Sequence, residues 1–305
     1  MRIVFMGTPD FAVPSLEALL QAGHTVCGVF TQPDKPKNRG MKLLPPPVKV
    51  TAQAHDIPVY QPVSVKDGTA LQQLQALAPE LLVVAAYGRV LPQEILDLPR
   101  FGCINVHSSL LPRYRGAAPI NWAVVNGDGE TGVTVMDMAL ELDAGDILDQ
   151  VTTPIDPEET VETVHDRLAQ LGAELLVRVV RQLEEGTATR TPQDPAQVTY
   201  APMLSRALSP IDWTRSAKEI HDQVRGLVPW PATSTDILNG TAVKVYSVTE
   251  TGEQTGKAPG TILSAGKAGI DVACGDGGVI RILELQAPGS RRMAAADYLR
   301  GHPLT

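Results

Sequence analysis

Apolar residues in the first part of the chain form short continuous runs that alternate with longer, helically spaced segments. The longest helical spacing covers Glu158–Glu185 and ends at Gly186. Continuous runs indicate strands buried on both faces, and helices between such strands are typical of a parallel sheet. The pattern therefore predicts an α/β domain over residues 1–186. The continuous runs occupy residues 2–7, 25–31, 81–86 and 102–107.

The last third of the chain carries a different pattern. Residues 187–208 are rich in Thr, Pro and Ala, a composition typical of a connection between domains. A helical spacing follows at 216–227, and short strand-like runs with Gly-rich turns continue beyond it. Short, evenly spaced strands favour a small barrel. We therefore predict a linker at 187–208 and a smaller C-terminal β-barrel domain at 209–305.

The overall composition narrows the class of protein. The 305 residues are 43% hydrophobic and 20% charged, which is ordinary for a globular chain. A formal net charge of -8 excludes a general positive field that would attract nucleic acid. Because no apolar run reaches the roughly 18 residues that span a bilayer, we expect a soluble, cytoplasmic protein with no membrane segment.

Cysteines and histidines give no sign of a metal or disulfide framework. The three cysteines lie far apart and form no C-x-x-C pair, and the six histidines are scattered without an H-E-x-x-H spacing. Structural zinc sites and small disulfide frameworks need closely spaced ligands or an even set of cysteines. The sequence therefore predicts no metal site.

One short segment departs from the acidic balance. Between Thr31 and Val50, five basic residues stand against the single acid Asp34, which leaves a net charge of +4. Taken alone, such a proline-rich basic segment is most simply a solvated surface loop. It is also the one local surface on which this acidic chain could meet phosphates.

The first strand is followed by a turn that invites comparison with dinucleotide-binding proteins. The turn reads Gly7-Thr-Pro-Asp10 and supplies one glycine where the G-x-G-x-x-G fingerprint needs three. A strand-to-helix turn with Pro9 and Asp10 at the helix start explains it better. We therefore do not expect an NAD or FAD site.

The strand at 102–107 ends in a polar pair, Asn105 and His107. Strand alternation places both on one side, roughly 6.5 to 7 Å apart, near the sheet edge where ligands bind. An amide can donate to an oxyanion, and an imidazole can move a proton near neutral pH. A later acidic loop, Glu141–Asp146, could add a carboxylate that orients the imidazole. The alternatives, a turn cap, a satisfied edge histidine and a solvated loop, stay open on these residues alone.

Three short stretches favour the catalytic alternative. They are Asn105-Val-His107, Ser109-Leu-Leu-Pro112 and Leu142-Asp-Ala-Gly-Asp146. In these stretches the chain resembles the formyltransferases that use 10-formyltetrahydrofolate. The resemblance implies that Asn105, His107 and Asp143 are catalytic and that 10-formyltetrahydrofolate is the formyl donor. It also implies folate contacts from Ser109, Leu110, Leu111 and Pro112.

Four further stretches narrow the resemblance, namely Met6–Pro14, Thr31–Pro36, Arg113–Ile120 and Pro229–Pro231. They are similar to the branch of that family that formylates methionyl-initiator tRNA. This likeness implies a Rossmann-like parallel-sheet domain joined to an OB-like barrel that takes part in tRNA binding. It implies a role in tRNA binding for Arg39 in the basic segment, with Lys35, Lys37 and Lys42 as further phosphate contacts.

Two rival hypotheses remain open. One is a formyltransferase or a formyl-folate hydrolase that acts on a small substrate with the same three residues. The other is a non-catalytic RNA-binding protein whose barrel binds the nucleic acid. The basic segment and the barrel favour the tRNA substrate, since a small substrate needs neither. We also expect the protein to be a monomer.

Overall fold

The computed structural model describes residues 1–37, 42–238 and 240–304. Its contacts divide the chain into two compact units. The first unit consists of Met1–Pro119, Thr131–Thr153 and His165–Ala201, and the second contains the remaining segments. Residues 187–201, within the predicted linker, thus belong to the first unit. The predicted domain bounds of 1–186, 187–208 and 209–305 remain predictions.

The first unit contains a seven-stranded sheet in the order β10-β9-β7-β6-β1-β2-β5. The predicted α/β class is confirmed, but the sheet is mixed, because β9 runs antiparallel to β7 while β1, β2, β5, β6 and β7 are parallel to one another. Two small pairs accompany it, β3 with β4 and β8 with β11. The strands are β1 (Arg2–Gly7), β2 (Thr25–Phe30), β3 (Lys35–Lys37), β4 (Lys42–Leu44), β5 (Val59–Tyr60), β6 (Leu81–Ala85), β7 (Cys103–His107), β8 (Arg115–Gly116), β9 (Glu130–Asp137), β10 (Ile147–Pro154) and β11 (Tyr200–Ala201).

Helices pack against this sheet, and the helix that carries Gly172 covers one face of β7. Gly172 lies so close to β7 that an added Cβ would stand 3.0 Å from Val106 Cγ1. The helix that carries Gly172 therefore packs on the Val106 side, and alternation turns Asn105 and His107 to the other side. The helices of the first unit are α1 (Val13–Gln21), α2 (Pro47–Ala54), α3 (Thr69–Leu77), α4 (Gln93–Leu96) and the greater part of α6 (Val161–Glu185). Helix α5 (Pro119–Val125) falls almost wholly in the second unit.

The second unit is built on an antiparallel sheet in the order β12-β13-β16-β15-β14, with β17 paired to β16. Its helix α7 begins at a capping box in which Ser216 and Glu219 bond each other's backbone N–H. The predicted C-terminal β domain is thus confirmed, and closure into a barrel remains a prediction. The elements are α7 (Ala217–Leu227), β12 (Thr233–Thr235), β13 (Val243–Gln254), β14 (Ile262–Gly266), β15 (Gly269–Ala273), β16 (Gly278–Gln286), β17 (Met293–Ala294) and α8 (Ala295–Gly301).

None of the helices in the described ranges combines the length and the apolar character that crossing a bilayer would require.

Candidate active site

Strand β7 carries the two polar side chains of the predicted site. Asn105 lies beside Val84 of the parallel strand β6, and His107 lies opposite Thr134 of β9. The Asn105 side chain is partly exposed, and no hydrogen bond to it occurs within the described ranges. His107, by contrast, is only 6% exposed. The amide is therefore free to donate to a ligand, while the imidazole is held in place by its surroundings.

A backbone carbonyl fixes the orientation of His107. Its Nε2 lies 2.9 Å from the carbonyl oxygen of Tyr114, which can only accept a hydrogen bond. Nε2 therefore carries a proton, and in the neutral imidazole Nδ1 is the free acceptor. Tyr114 adopts a φ of 62°, a left-handed conformation that a non-glycine residue keeps only when its surroundings enforce it. Thr199 enforces it here, because its Oγ1 accepts from the Tyr114 N–H at 2.9 Å.

Asp143 reaches the other nitrogen of His107 from the loop after β9. Its Oδ2 lies 3.8 Å from His107 Nδ1, too long for a direct hydrogen bond but a separation that one water can bridge. The same oxygen accepts from the Gly116 N–H at 2.8 Å. The tautomer of His107 is thus set by the Tyr114 carbonyl, whereas the sequence suggested that an Asp of this loop would set it. Asn105, His107 and Asp143 all lie in the first unit.

The loop that carries Asp143, residues 138–146, is called the catalytic loop below. Gln193 holds it from outside, with its Nε2 donating to the carbonyl oxygens of Asp143 at 2.7 Å and Gly145 at 2.8 Å. Arg115 in turn donates to Gln193 Oε1 from Nε at 3.0 Å and Nη2 at 2.9 Å. Neither residue was among the site residues predicted from the sequence. Arg115 lies within a stretch used for the resemblance, but Gln193 carries no signal in the sequence because its partners come from 50 residues away.

The segment predicted to contact folate is largely occupied by its own hydrogen bonds. The Ser109 hydroxyl is fully buried and donates to the Arg113 carbonyl at 2.7 Å. Leu111 is 3% exposed, and its carbonyl accepts from Gln150 Nε2 at 2.9 Å. Leu110 and Pro112 are partly exposed. These two side chains are therefore the ones that a bound ligand can reach.

Cys103, two residues before Asn105 on β7, carries a buried thiol that stays protonated at neutral pH. Burial raises the pKa of its thiol to about 12, helped by the nearby carboxylates of Asp137 and Asp97. The thiolate is the nucleophilic form of cysteine, and it is absent at neutral pH when the pKa is this high. The amide and the imidazole are thus the reactive groups that β7 offers.

The predicted tRNA-binding residues belong to the segment called the basic hairpin below, residues 35–44, which includes β3 and β4. Lys35 lies on β3 and is exposed. Lys37 and Lys42 lie at the facing ends of β3 and β4 and are paired in register. Arg39 lies outside the described residues.

An ion pair joins the base of the basic hairpin to helix α2. Lys49 Nζ on α2 lies 2.9 Å from both carboxylate oxygens of Asp34 and 2.8 Å from Gln61 Oε1. Gln61 Nε2 also donates to Asp34 Oδ1 at 2.8 Å. Hydrogen bonds from Gln61 and Lys49 lower the pKa of Asp34. Lys49 and Asp34 thus neutralise each other, and the net +4 of residues 31–50 belongs to the hairpin's own cations.

Across the described ranges, no group of three or more His, Cys, Asp or Glu side chains is arranged to hold a metal ion.

Comparisons with known proteins show which family the chain matches. Residues 1–180 match the formyl transferase family, and residues 203–303 match the formyl transferase C-terminal domain. A methionyl-tRNA formyltransferase of Citrifermentans bemidjiense is 50% identical over 304 residues, covering 100% of this chain and 94% of that protein. The enzyme of the same name from Trichlorobacter lovleyi is 52% identical over 303 residues, covering 99% and 95%.

Solved structures with the same fold include more distant formyltransferases. An N-formyltransferase from Helicobacter canadensis in complex with folinic acid and dTDP-3-aminofucose aligns with a TM-score of 0.70 at 20% identity, over 93% of this chain and 98% of that one. HypX from Aquifex aeolicus in complex with tetrahydrofolic acid aligns with a TM-score of 0.65 at 19% identity, over 98% of this chain and 47% of that one. At these identities the likeness concerns the fold alone.

Proposed function

The chain belongs to the methionyl-tRNA formyltransferase family, and on this premise we propose that it moves a formyl group from 10-formyltetrahydrofolate to the amino group of methionyl-initiator tRNA. In that reaction a bond forms between the methionyl nitrogen and the formyl carbon, and the bond between the formyl carbon and N10 of the folate breaks. The proton lost by the amine ends on N10. The observation that carries the proposal is the convergence of an unpartnered amide, a fixed imidazole and a carboxylate at one edge of the sheet.

Asn105 supplies the oxyanion donor. Its side-chain amide is the polar group of β7 that has no partner within the described ranges, and it is partly exposed. When the amine attacks, negative charge develops on the formyl oxygen, and a preorganised N–H donor stabilises it. Because the amide needs no bond to be broken before it can donate, its full effect is available in the transition state.

His107 and Asp143 handle the proton. The Tyr114 carbonyl occupies Nε2, so Nδ1 is the atom that can accept a proton. The Asp143 carboxylate stands 3.8 Å away and stabilises the imidazolium that results. A water between the two groups would connect the attacking amine to this pair. The proton can then be returned to N10 as the folate leaves.

Contacts to the formyl donor come from the turn after β7. Of the four residues that the resemblance implies, Leu110 and Pro112 have exposed apolar surface, whereas Ser109 and Leu111 are buried. We propose that the folate packs on Leu110 and Pro112 and that Ser109 shapes the turn through its bond to the Arg113 carbonyl. Folate serves as a cosubstrate that is consumed in each turnover.

The basic hairpin is proposed to contact the tRNA phosphates through Arg39, Lys35, Lys37 and Lys42, and the C-terminal domain to add further contacts. A net charge of +4 over residues 31–50 in a chain of net charge -8 concentrates the attraction in one place. Binding that depends on such contacts weakens steeply with salt. We place this activity in the cytoplasm and keep the monomer as the expected state.

A substrate comparison tests the proposal. The protein is given 10-formyltetrahydrofolate together with charged initiator tRNA, charged elongator tRNA or free methionine, and the formylated amine is identified. We expect transfer to the initiator methionyl-tRNA with far higher kcat/KM than to free methionine. Equal efficiency with free methionine, or release of formate without any acceptor, would replace this function with the small-substrate enzyme or the hydrolase. Binding of tRNA with no transfer would favour the RNA-binding protein.

A further inference from the structure

The segment after α6 contributes a side chain to the catalytic loop. Gln193 lies in the first unit, and the two N–H groups of its amide donate to the carbonyls of Asp143 and Gly145. Both donors of the amide are therefore engaged on the loop. Asp143, whose carbonyl accepts one of these hydrogen bonds, has a φ of 50°, in the left-handed region. A conformation of this kind in a non-glycine residue costs about 1–3 kcal/mol and persists only where neighbours enforce it.

The orientation of the Gln193 amide is unambiguous. Its Oε1 receives Nε and Nη2 of Arg115 at 3.0 and 2.9 Å. A guanidinium only donates hydrogen bonds, so the amide oxygen must face Arg115. The NH2 group must then face the two loop carbonyls, which only accept. An amide is thus the group that can accept from Arg115 and donate to the two loop carbonyls at once. A carboxylate at this position could not make the hydrogen bonds to the loop carbonyls.

Arg115, which bonds the Gln193 amide, is followed directly in the chain by Gly116, which bonds the Asp143 carboxylate. The guanidinium is 6% exposed and also donates from Nη1 to Glu141 Oε1 at 3.0 Å. The next residue, Gly116, donates its N–H to the Asp143 carboxylate at 2.8 Å. The backbone of Asp143 and its side chain are therefore both held by groups anchored at β8. Any shift of this anchor moves the carboxylate relative to His107.

We propose that Gln193 is a positioning residue for the reaction, which acts by holding the Asp143 carboxylate 3.8 Å from His107 Nδ1. The inference rests on the proposed function and adds a residue that the family resemblance did not supply. Gln193 touches neither reacting group. Its effect is expected on turnover and not on the binding of either substrate, because its partners are the loop carbonyls and Arg115.

The variant Gln193→Glu isolates this role. A glutamate keeps the size of the side chain and pairs with Arg115 more strongly, since a carboxylate accepts from guanidinium as a charged partner. It cannot donate to the Asp143 and Gly145 carbonyls and repels them. We expect kcat to fall about 100-fold, the loss associated with a small misplacement of a catalytic group. KM for methionyl-tRNA and for the formyl donor should change by no more than about twofold.

Gln197→Glu is the matched control. Gln197 is exposed, lies in the same segment, and its amide donates to the Asp194 carboxylate. Its conversion to Glu changes the charge of the segment equally but leaves the catalytic loop untouched. We expect wild-type kcat from this variant. A loss of kcat equal to that of Gln193→Glu would show that the charge alone is responsible and would overturn the proposal.

A double-mutant cycle with Asp143→Asn separates positioning from a general structural role. If Gln193 acts through Asp143, Gln193→Glu should cost little further kcat in the Asp143→Asn background, because the group that it positions is already impaired. The same factor in both backgrounds, or a kcat loss that tracks a lower unfolding midpoint, would overturn the inference. If the wild type transfers no formyl group to methionyl-tRNA, the proposed function itself is wrong. This outcome differs from one in which the wild type is active and only the role of Gln193 is refuted.

Discussion

The catalytic loop and the basic hairpin both belong to the first unit, but the contacts described for them differ. The catalytic loop is fixed along its length, by Gln193 on two carbonyls and by Gly116 on the Asp143 carboxylate. The basic hairpin is fixed at its base, where Asp34, Lys49 and Gln61 form a closed set of hydrogen bonds. A group that stabilises a transition state needs a position defined within about 0.5 Å. Phosphate contacts act through long, flexible cations and tolerate a less defined position.

The side chains that support the catalytic loop are also more deeply buried than those at the base of the basic hairpin. Arg115, which supports the catalytic loop, is 6% exposed, whereas the side chains of the Lys49–Asp34 pair are 18% and 30% exposed. Partly exposed ion pairs contribute little to stability, because solvent screens them. Changes in the catalytic region should therefore cost far more than changes at the base of the hairpin.

The largest effect is expected from Asn105→Ala. Removing a single oxyanion donor typically lowers kcat by about 100- to 1,000-fold, and we expect a loss in this range with KM values little changed. The amide has no hydrogen bond within the described ranges and is partly exposed, so its removal leaves no buried group unpaired. Steady-state kinetics and thermal unfolding on the same preparation provide the measurement. Full turnover in a normally folded Asn105→Ala protein would refute the role assigned to this residue.

Gly145→Ala is expected to come next, because the catalytic loop has no room for a side chain there. An added Cβ would lie 1.8 Å from the carbonyl oxygen of Asp137, so the loop must move. We expect a destabilisation of about 1–3 kcal/mol, as for overpacking elsewhere. The displaced carboxylate of Asp143 should also reduce kcat by about 100-fold.

A second glycine supplies the control for Gly145→Ala. An added Cβ at Gly129 would meet no atom within 4 Å. Gly129→Ala should therefore retain wild-type stability and kcat in denaturant unfolding and steady-state assays. If Gly145→Ala kept wild-type stability and kcat as Gly129→Ala does, the catalytic loop would accommodate a side chain at this position without displacing Asp143. The loop would then not be more tightly held than the basic hairpin.

The smallest effect is expected from Asp34→Asn, which weakens the anchor of the basic hairpin. If Lys49 acts as an anchor, the variant should raise the Kd for tRNA by about two- to fivefold and leave kcat unchanged. If Lys49 instead contacts a phosphate, loss of Asp34 would free its charge and lower the Kd. The sign of the change in filter-binding or fluorescence titrations thus decides between the two roles. Asp149→Asn is the control, since Asp149 pairs with Arg178 at 2.8 Å with similar exposure of the carboxylate, 28%.

The same anchor carries a pH dependence of known sign. The pKa of Asp34 is lowered by hydrogen bonds from Gln61 and Lys49, so the folded state favours the ionised carboxylate. The stabilisation is present above the unfolded-state pKa of about 3.9 and is lost as pH falls through the lower folded-state value. Acid unfolding of the wild type should therefore include a loss of stability in that range, and the Asp34→Asn variant should lack this step.

Much of the fold was predictable because it is written in local patterns. The continuous apolar run of β6, Leu81–Ala85, is buried at every position, as expected for a strand covered on both faces. The alternation of β7 correctly placed Asn105 and His107 on one side. The antiparallel direction of β9 was not predictable, since pairing direction depends on the path of the chain between strands and not on the apolar pattern of either strand.

The sequence by itself determined the α/β class, the C-terminal β domain and the identity of the three residues proposed to be catalytic, because periodicity and the resemblance reside in short contiguous stretches. Only the tertiary structure decided how these residues are held. The Tyr114 carbonyl, and not Asp143, fixes the tautomer of His107, and Gln193 supports a loop from 50 residues away in sequence. Such contacts involve backbone groups or residues that are distant in sequence. Because every residue carries the same backbone carbonyl, the residue type does not reveal which carbonyl will make the contact. Its position becomes informative only after the chain has folded.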